Sequence, residues 1–373
     1  MDPRLTKLAD LLVNFSTAAQ KGERLLVEAI GVDTLPLVEE IVRVAARKGV
    51  FVFHNIHDHT VLRAFLNSVE EPQVAALTQH ALAQMKDMDC YIGVRGPSNV
   101  AELSDVPQAA MNWYNKYYFD AVHIKQRVAH TRWVVLRYPN HAMAQLAKQP
   151  LRAFEDFYYD VCTMDYARMS RAMDPLQALM ARTDRVEIKA PGTDLRLSIR
   201  GLPVIKCDGK LNIPDGEVYT APVDGSVQGT ITFNAGAIYE GKTFGPIALT
   251  FDKGRIVKVD AGSSTAAVEA VLDRDAGARG VGEFALGVNP FITRPMLDTL
   301  FDEKIGGSLH MAMGNSYDDC DNGNKSQIHW DLVHIQTPEY GGGEIWFDGT
   351  LIRKDGQFVL DELRGLNPDK LRE

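Results

Sequence analysis

The chain reads as an α/β N-terminal domain with a mostly parallel sheet, followed by a β-rich α+β domain. Three observations predict this. Short apolar runs alternate with helical stretches through roughly the first half. From Val186 the texture changes to short strands punctuated by Gly and Asp turns. The length, 373 residues, exceeds what one compact core usually holds.

The elements follow in order. Residues 23–30 (ERLLVEAI) form a short apolar run, residues 34–48 have helical periodicity, and Gly49-Val50 leads into FVF at 51–53. Residues 89–94 (DCYIGV) and 131–137 (TRWVVLR) are further strands with helical stretches between them. Strand, helix, strand at this spacing predicts a parallel sheet covered by helices on both faces. A long helical stretch spans 151–182, and Pro175 is expected to break or kink it. VEIKAPGTDLRLSIRG then reads as two strands about a Pro-Gly turn, and VQGTITFN, GPIALTFDKGRIVKVD and EIWFDGTLIRKDGQFV continue the pattern. Asp252-Lys253-Gly254 and Lys354-Asp355-Gly356 are hairpin signals. Helices are expected at 265–273 and 294–301. The boundary falls near 182–186, giving domains of 1–183 and 184–373, with no internal repeat and no low-complexity linker.

Composition narrows the function. With 45% hydrophobic and 24% charged residues the chain is of globular type rather than disordered. A net charge of −9 without long Lys/Arg runs argues against nucleic acid. No apolar run approaches the ~18 residues that span a bilayer, and Met1-Asp2-Pro3 opens no signal peptide, so a cytoplasmic protein without membrane contact is expected. Cys90, Cys162, Cys207 and Cys320 are far apart and form no CxxC pair, which reads as four inert thiols rather than disulfides or a thiolate zinc site. Gly280-Val281-Gly282 lacks dinucleotide-fingerprint spacing, Gly341–Gly343 reads as a turn, and neither GxSxG nor a P-loop occurs.

Ten histidines raise the question of a metal. HNIHDH (His54, His57, His59) is the densest cluster, but His54 and His57 lack i,i+4 spacing and no acid-rich segment lies nearby. It reads as a polar loop or substrate-facing rim. His80, His123, His130 and His141 are isolated and read as structural. IHWDLVHIQ differs: alternation puts His329, Asp331 and Val333 on one strand face, where an imidazole and a carboxylate two apart can grip a cation or form a buried ion pair. His310 stands in the apolar run SLHMAMGNSY, Glu283 is buried in VGEFALGVNP, and Glu217 follows the Pro-Asp-Gly turn of NIPDGEVYTAP. Each alone has a bland reading, a solvated turn acid or a satisfied core histidine. Together they place costly polar groups in apolar-glycine surroundings, where a cation or hydrogen-bond donors must compensate.

NIPDGEVYTAP, GEFALGVNP, FDEKIGGSLHMAMGNSY and HWD, in this order, resemble the thermophilic-type metalloaminopeptidases typified by aminopeptidases T and S. The resemblance runs from KLADLLVNFS to the final FDGTLIRKDGQFV. It implies that Glu217, Glu283, Glu303, His310, His329 and Asp331 hold two divalent ions, of zinc, cobalt, manganese or magnesium. Glu283, Glu303 and Tyr317 would do the catalytic work in the C-terminal domain of a homodimer acting on peptides. One departure stands out: the stretch between Glu303 and His310 (KIGGSL) is longer than in the founding members. Peptide hydrolysis needs a strong nucleophile at neutral pH and charge stabilisation on the carbonyl oxygen, which paired ions supply. Glu283 or Glu303 would carry the proton to the leaving amine, and Tyr317 would hydrogen-bond the oxyanion or bind a metal. Two rivals stand beside this reading. One is a ring-cleaving dioxygenase of related fold, holding one non-haem iron and expected to carry a histidine at the Glu283 position. The other is a non-catalytic metal- or small-molecule-binding homologue.

Overall fold

A computed structural model describes residues 2–373, and the chain divides into two compact units. The first is Met1–Thr163 with Gly209–Pro214; the second is Met164–Asp208 with Asp215–Glu373.

The first unit is built on a parallel sheet in the order Phe51–His57, Arg24–Ile30, Cys90–Arg95, Arg132–Arg137, Asn212–Ile213. Its central strands are buried along nearly their whole length, as strands covered on both faces must be. Helices Leu35–Arg47, His59–Leu66, Glu71–Lys86 and Tyr114–Val128 make the crossovers. The edge strand runs through His57, so HNIH is strand rather than the expected loop. Its residues are exposed on both faces, and this polar, two-sided exposure is what made it read as a loop.

The second unit opens with helix Tyr166–Arg182, which carries Pro175 in its interior. The expected break at Pro175 does not occur; the long helical stretch is interrupted instead at Thr163–Asp165, where the Asp165 carboxylate caps the new helix by accepting from the Arg168 amide at 2.8 Å. Interior proline costs about 3 kcal/mol. Met169, Met173, Leu176 and Met180 lie fully buried along this helix, and at roughly 1.5–3 kcal/mol each they outweigh that cost. The unit division falls ahead of this helix, whereas the sequence boundary had placed the helix with the first domain.

Two antiparallel sheets make up most of the second unit. An eight-stranded sheet includes the pair Arg185–Ala190 and Thr193–Ser198 and the hairpin Ile247–Asp252/Arg255–Asp260. Its turns are as expected: Lys253 and Asp355 take φ of 48° and 49° and each is followed by a glycine at positive φ, the left-handed pair a two-residue hairpin demands. A five-stranded sheet runs His329–Ile335, Ser308–Gly314, Val281–Gly287, Glu217–Thr220, Ile205–Cys207. Helix Thr265–Leu272 is present, but only Thr299–Asp302 of the expected 294–301 helix forms. Pro295 and Leu297, with φ of 62°, cannot continue a helix, and the Asp302 carboxylate takes the Met296 and Leu297 amides at 2.7 and 2.9 Å.

Candidate metal centre

The five-stranded sheet collects the candidate residues on one face. Its register sets Glu283 opposite Ala312 and Ala312 opposite Asp331, a single row across three strands. Along the same strands His310 pairs with Ala285, His329 with Gly314, and Glu217 with Gly287. Residues directly opposite, or two apart on one strand, share a face. The small residues Ala285, Gly287, Ala312 and Gly314 therefore form a low floor from which longer polar side chains rise. Gly287 has a second role: a Cβ there would lie 2.4 Å from the Ile305 carbonyl oxygen, so only glycine lets the 304–305 backbone close against this strand.

At the centre of the face the Glu283 carboxylate points one oxygen each way. Its Oε1 is 2.9 Å from Nε2 of His310, and its Oε2 is 3.4 Å from Nε2 of His329. His310 Nε2 also lies 3.4 Å from Glu217 Oε2, and His329 Nε2 lies 3.4 Å from Asp331 Oδ1. Two groups with ligand atoms within 4.8 Å result, Glu217–Glu283–His310 and Glu283–His329–Asp331, and they share Glu283. Glu303 joins a third, with His310 and Asp331.

Both rings are oriented from behind. His310 Nδ1 donates to the Glu303 carbonyl oxygen at 3.0 Å and His329 Nδ1 to the Asn315 carbonyl oxygen at 2.8 Å, which turns each Nε2 toward the carboxylates. Among the described residues Glu217 Oε2 and His329 Nε2 are buried polar atoms without a hydrogen-bond partner, one in each of the first two groups. Buried polar atoms without partners are rare. An orphan facing each cluster, with neutral-imidazole and carboxylate donors around it, fits a divalent ion at each place.

Electrostatics agree with a pocket built for positive charge. Burial would raise the Glu283 carboxyl, but the two imidazoles outweigh it and hold it below the ordinary value. Asp331 is likewise brought down to about 2, chiefly by His329, against burial. Burial works against charge on His310, yet the Glu283 and Glu217 carboxylates beside it raise it to about 10. Glu303 behaves differently, with burial pushing its carboxyl up to about 8 against the pull of Lys304.

Tyr317 stands at the rim, 46% exposed, its ring 4.5 Å from that of His329 and 5.8 Å from that of Tyr219. All seven residues named from the sequence thus come together around one sheet face. Sequence reasoning missed Lys304, which is completely buried with its ammonium against Glu303, 3.3 Å from Glu217 Oε1 and 3.9 Å from Asp215 Oδ1. Its only signal was a lysine adjoining a glutamate in an apolar, glycine-rich stretch. It also missed the group Cys207–Asp215–Glu217, whose two acids face this ammonium. The four cysteines are free and buried. HNIHDH contributes nothing to any of these groups.

A two-unit chain with a carboxylate–histidine face of this kind belongs among metal-dependent enzymes, and comparison with known proteins agrees. The sequence profile of the thermophilic metalloprotease family M29 matches residues 1–358. The chain belongs to that family. Aminopeptidase 2 of Geobacillus stearothermophilus is 26% identical over 405 aligned positions, covering 95% of each chain. Aminopeptidase T of Thermus thermophilus is 30% identical over 207, about half of each. The solved structure of wild-type AmpT from Thermus thermophilus superposes with a TM-score of 0.81 at 22% identity, covering 96% of this chain and 99% of that one, and so shows the same fold. 2,5-Dihydroxypyridine dioxygenase from Pseudomonas putida shares the fold more distantly, with a TM-score of 0.65 at 13% identity over 98% and 99% of the two chains. No helix among the described residues is long and apolar enough to cross a membrane.

Proposed function

We propose that this chain is an aminopeptidase that releases N-terminal residues from peptides with two divalent ions, acting as a cytoplasmic homodimer. The observation that carries the two-ion reading is the Glu283 carboxylate, one oxygen in each ligand group, with an orphaned ligand atom on either side. The full-length similarity to Aminopeptidase 2 supports the reaction class.

Glu217, Glu283 and His310 would hold one ion and Glu283, His329 and Asp331 the other. Bound there, such ions lower the pKa of water and polarise the scissile carbonyl. Glu303 is placed to carry the proton: its carboxyl lies against Lys304 and groups with His310 and Asp331, where it would take the proton from the attacking water and return it to the leaving amine nitrogen. The Tyr317 hydroxyl would donate to the developing oxyanion. Glu283 speaks against the dioxygenase reading, because a site for one iron held by two histidines and an aspartate has no use for a carboxylate shared between two groups.

The test is hydrolysis of a leucyl chromogenic amide by chelator-stripped protein, before and after adding zinc, cobalt or manganese, with Glu283→Gln alongside. Metal-restored cleavage and a dead variant are expected. Full activity of Glu283→Gln, or cleavage indifferent to metal, would overturn the mechanism; one tightly held iron without cleavage would support the oxygenase.

A further inference from the structure

Lys304 differs from every other group in the pocket: it is a permanent cation in a place selected for cations. It is completely buried, and its ammonium touches Glu303 and Glu217, with Asp215 a little further off. Glu217 and Glu303 belong to two of the three overlapping ligand groups around the sheet face. The remaining group, Glu283–His329–Asp331, has no ion pair with Lys304 among the described residues and feels its charge only at longer range, through Asp331.

The lysine cannot swing away. Its amide donates to the Phe301 carbonyl oxygen at 3.1 Å, its carbonyl oxygen accepts from the Asn289 amide at 3.0 Å, and the next residue, Ile305, bridges to Asn289. On its other side the close approach at Gly287 fixes the backbone. Nor is the ammonium lodged at the metal place itself. It takes Oε1 of Glu217, while Oε2 of the same carboxylate is the orphan facing His310. Glu217 is thereby held to offer one oxygen to a metal, and that metal would sit beside a fixed positive charge.

We propose that Lys304 makes the two metal positions unequal, so that Glu283–His329–Asp331 fills first and tightly while Glu217–Glu283–His310 takes a weaker, exchangeable ion. This rests on the two-ion reading above. Two effects of Lys304 oppose each other. Holding Glu217 in place favours the second ion, whereas a like charge across one carboxylate opposes it. In a pocket this dry the charge dominates, because Coulomb repulsion grows as the dielectric falls. Lys304 is therefore a positioning residue that sets metal affinity, with no part assigned to it in bond-making.

Zinc titration of metal-stripped full-length protein against a chromophoric chelator tests the idea without reference to activity. The wild type is expected to bind two ions with affinities at least roughly tenfold apart, the scale of a unit charge acting over a few ångströms. Lys304→Met should close that gap by tightening the second ion roughly tenfold while leaving the first within about threefold. Glu217→Gln should keep one ion at the wild-type tight affinity. Equal affinities in the wild type, an undiminished gap in Lys304→Met, or loss of the tight ion in Glu217→Gln would each overturn the proposal. If Lys304→Met does not fold, as circular dichroism would reveal, Lys304→Gln takes its place, and equal wild-type affinities or loss of the tight ion in Glu217→Gln still overturn the proposal. A wild type that binds no zinc at all would instead sink the metal reading on which the proposal rests.

Discussion

The segment His54–His59 and the sheet face from Glu217 to Asp331 make opposite use of the same residue types. The first packs three histidines and an aspartate into six consecutive positions, yet they stand on an edge strand and the helix start that follows it. His57 Nε2 comes within 3.6 Å of Glu28, but that carboxylate already accepts from Tyr91 Oη at 2.8 Å and Arg95 at 3.2 Å. The second draws its ligands from four strands spread over more than a hundred residues of chain, and within each group of three the ligand atoms meet within 4.8 Å. Density along the chain is a poor guide to a ligand site. Convergence across a sheet is the better one, because register can bring distant residues to opposite positions.

The contrast can be broken or sharpened by substitution. The largest effect is expected from Glu283→Gln, which replaces one of the two shared oxygens by an amide nitrogen and removes the negative charge common to both groups, and should weaken both ions and abolish activity. Next is Glu303→Gln, with kcat lowered roughly 10²- to 10⁴-fold, the usual worth of a positioned proton carrier, at unchanged metal content. Tyr317→Phe should cost less, about 10²-fold at most, and wild-type rates would reduce Tyr317 to a packing role.

His334, on the opposite face of the Asp331 strand, gives a control within the same strand. It donates through Nδ1 to the Thr232 carbonyl oxygen at 2.7 Å, and burial lowers its pKa to about 4. The unfolded chain therefore binds the proton first as pH falls, so stability is held above about 6.5 and lost on the way down to about 4. The full swing is on the order of 3 kcal/mol. Urea midpoints at pH 7 and 4.5 should fall further apart in the wild type than in His334→Gln. At the bottom of the scale, replacing His54, His57 and His59 together by alanine should leave bound metal per chain unchanged. Loss of an ion from that triple variant would refute the contrast outright.

Much of the fold was legible because period-2 runs and turn signals are local. The parallel strands, the two left-handed hairpin turns and the pair about Pro191-Gly192 all stand where short apolar runs and Gly/Asp or Pro-Gly turns predict. The site residues were legible for another reason. Glu283, His310 and Asp331 are polar intrusions in apolar strands, and such intrusions need a cause. What escaped depends on tertiary context. Pro175 sits inside a helix because four buried side chains outweigh it, and residues 294–298 leave the helix because a side chain captures their amides. Lys304 escaped because one lysine in a short connecting stretch has no periodicity, and its burial follows only from the acids that the sheet brings around it.

The shared carboxylate has a consequence for descent. With Glu283 in both groups, a lineage cannot lose or retune one position through that residue while sparing the other. Any gradual route from two ions to one must pass through the outer ligands, Glu217 with its side of the sheet or His329 and Asp331 with theirs. The middle strand is then the part of the architecture that history can alter only all at once.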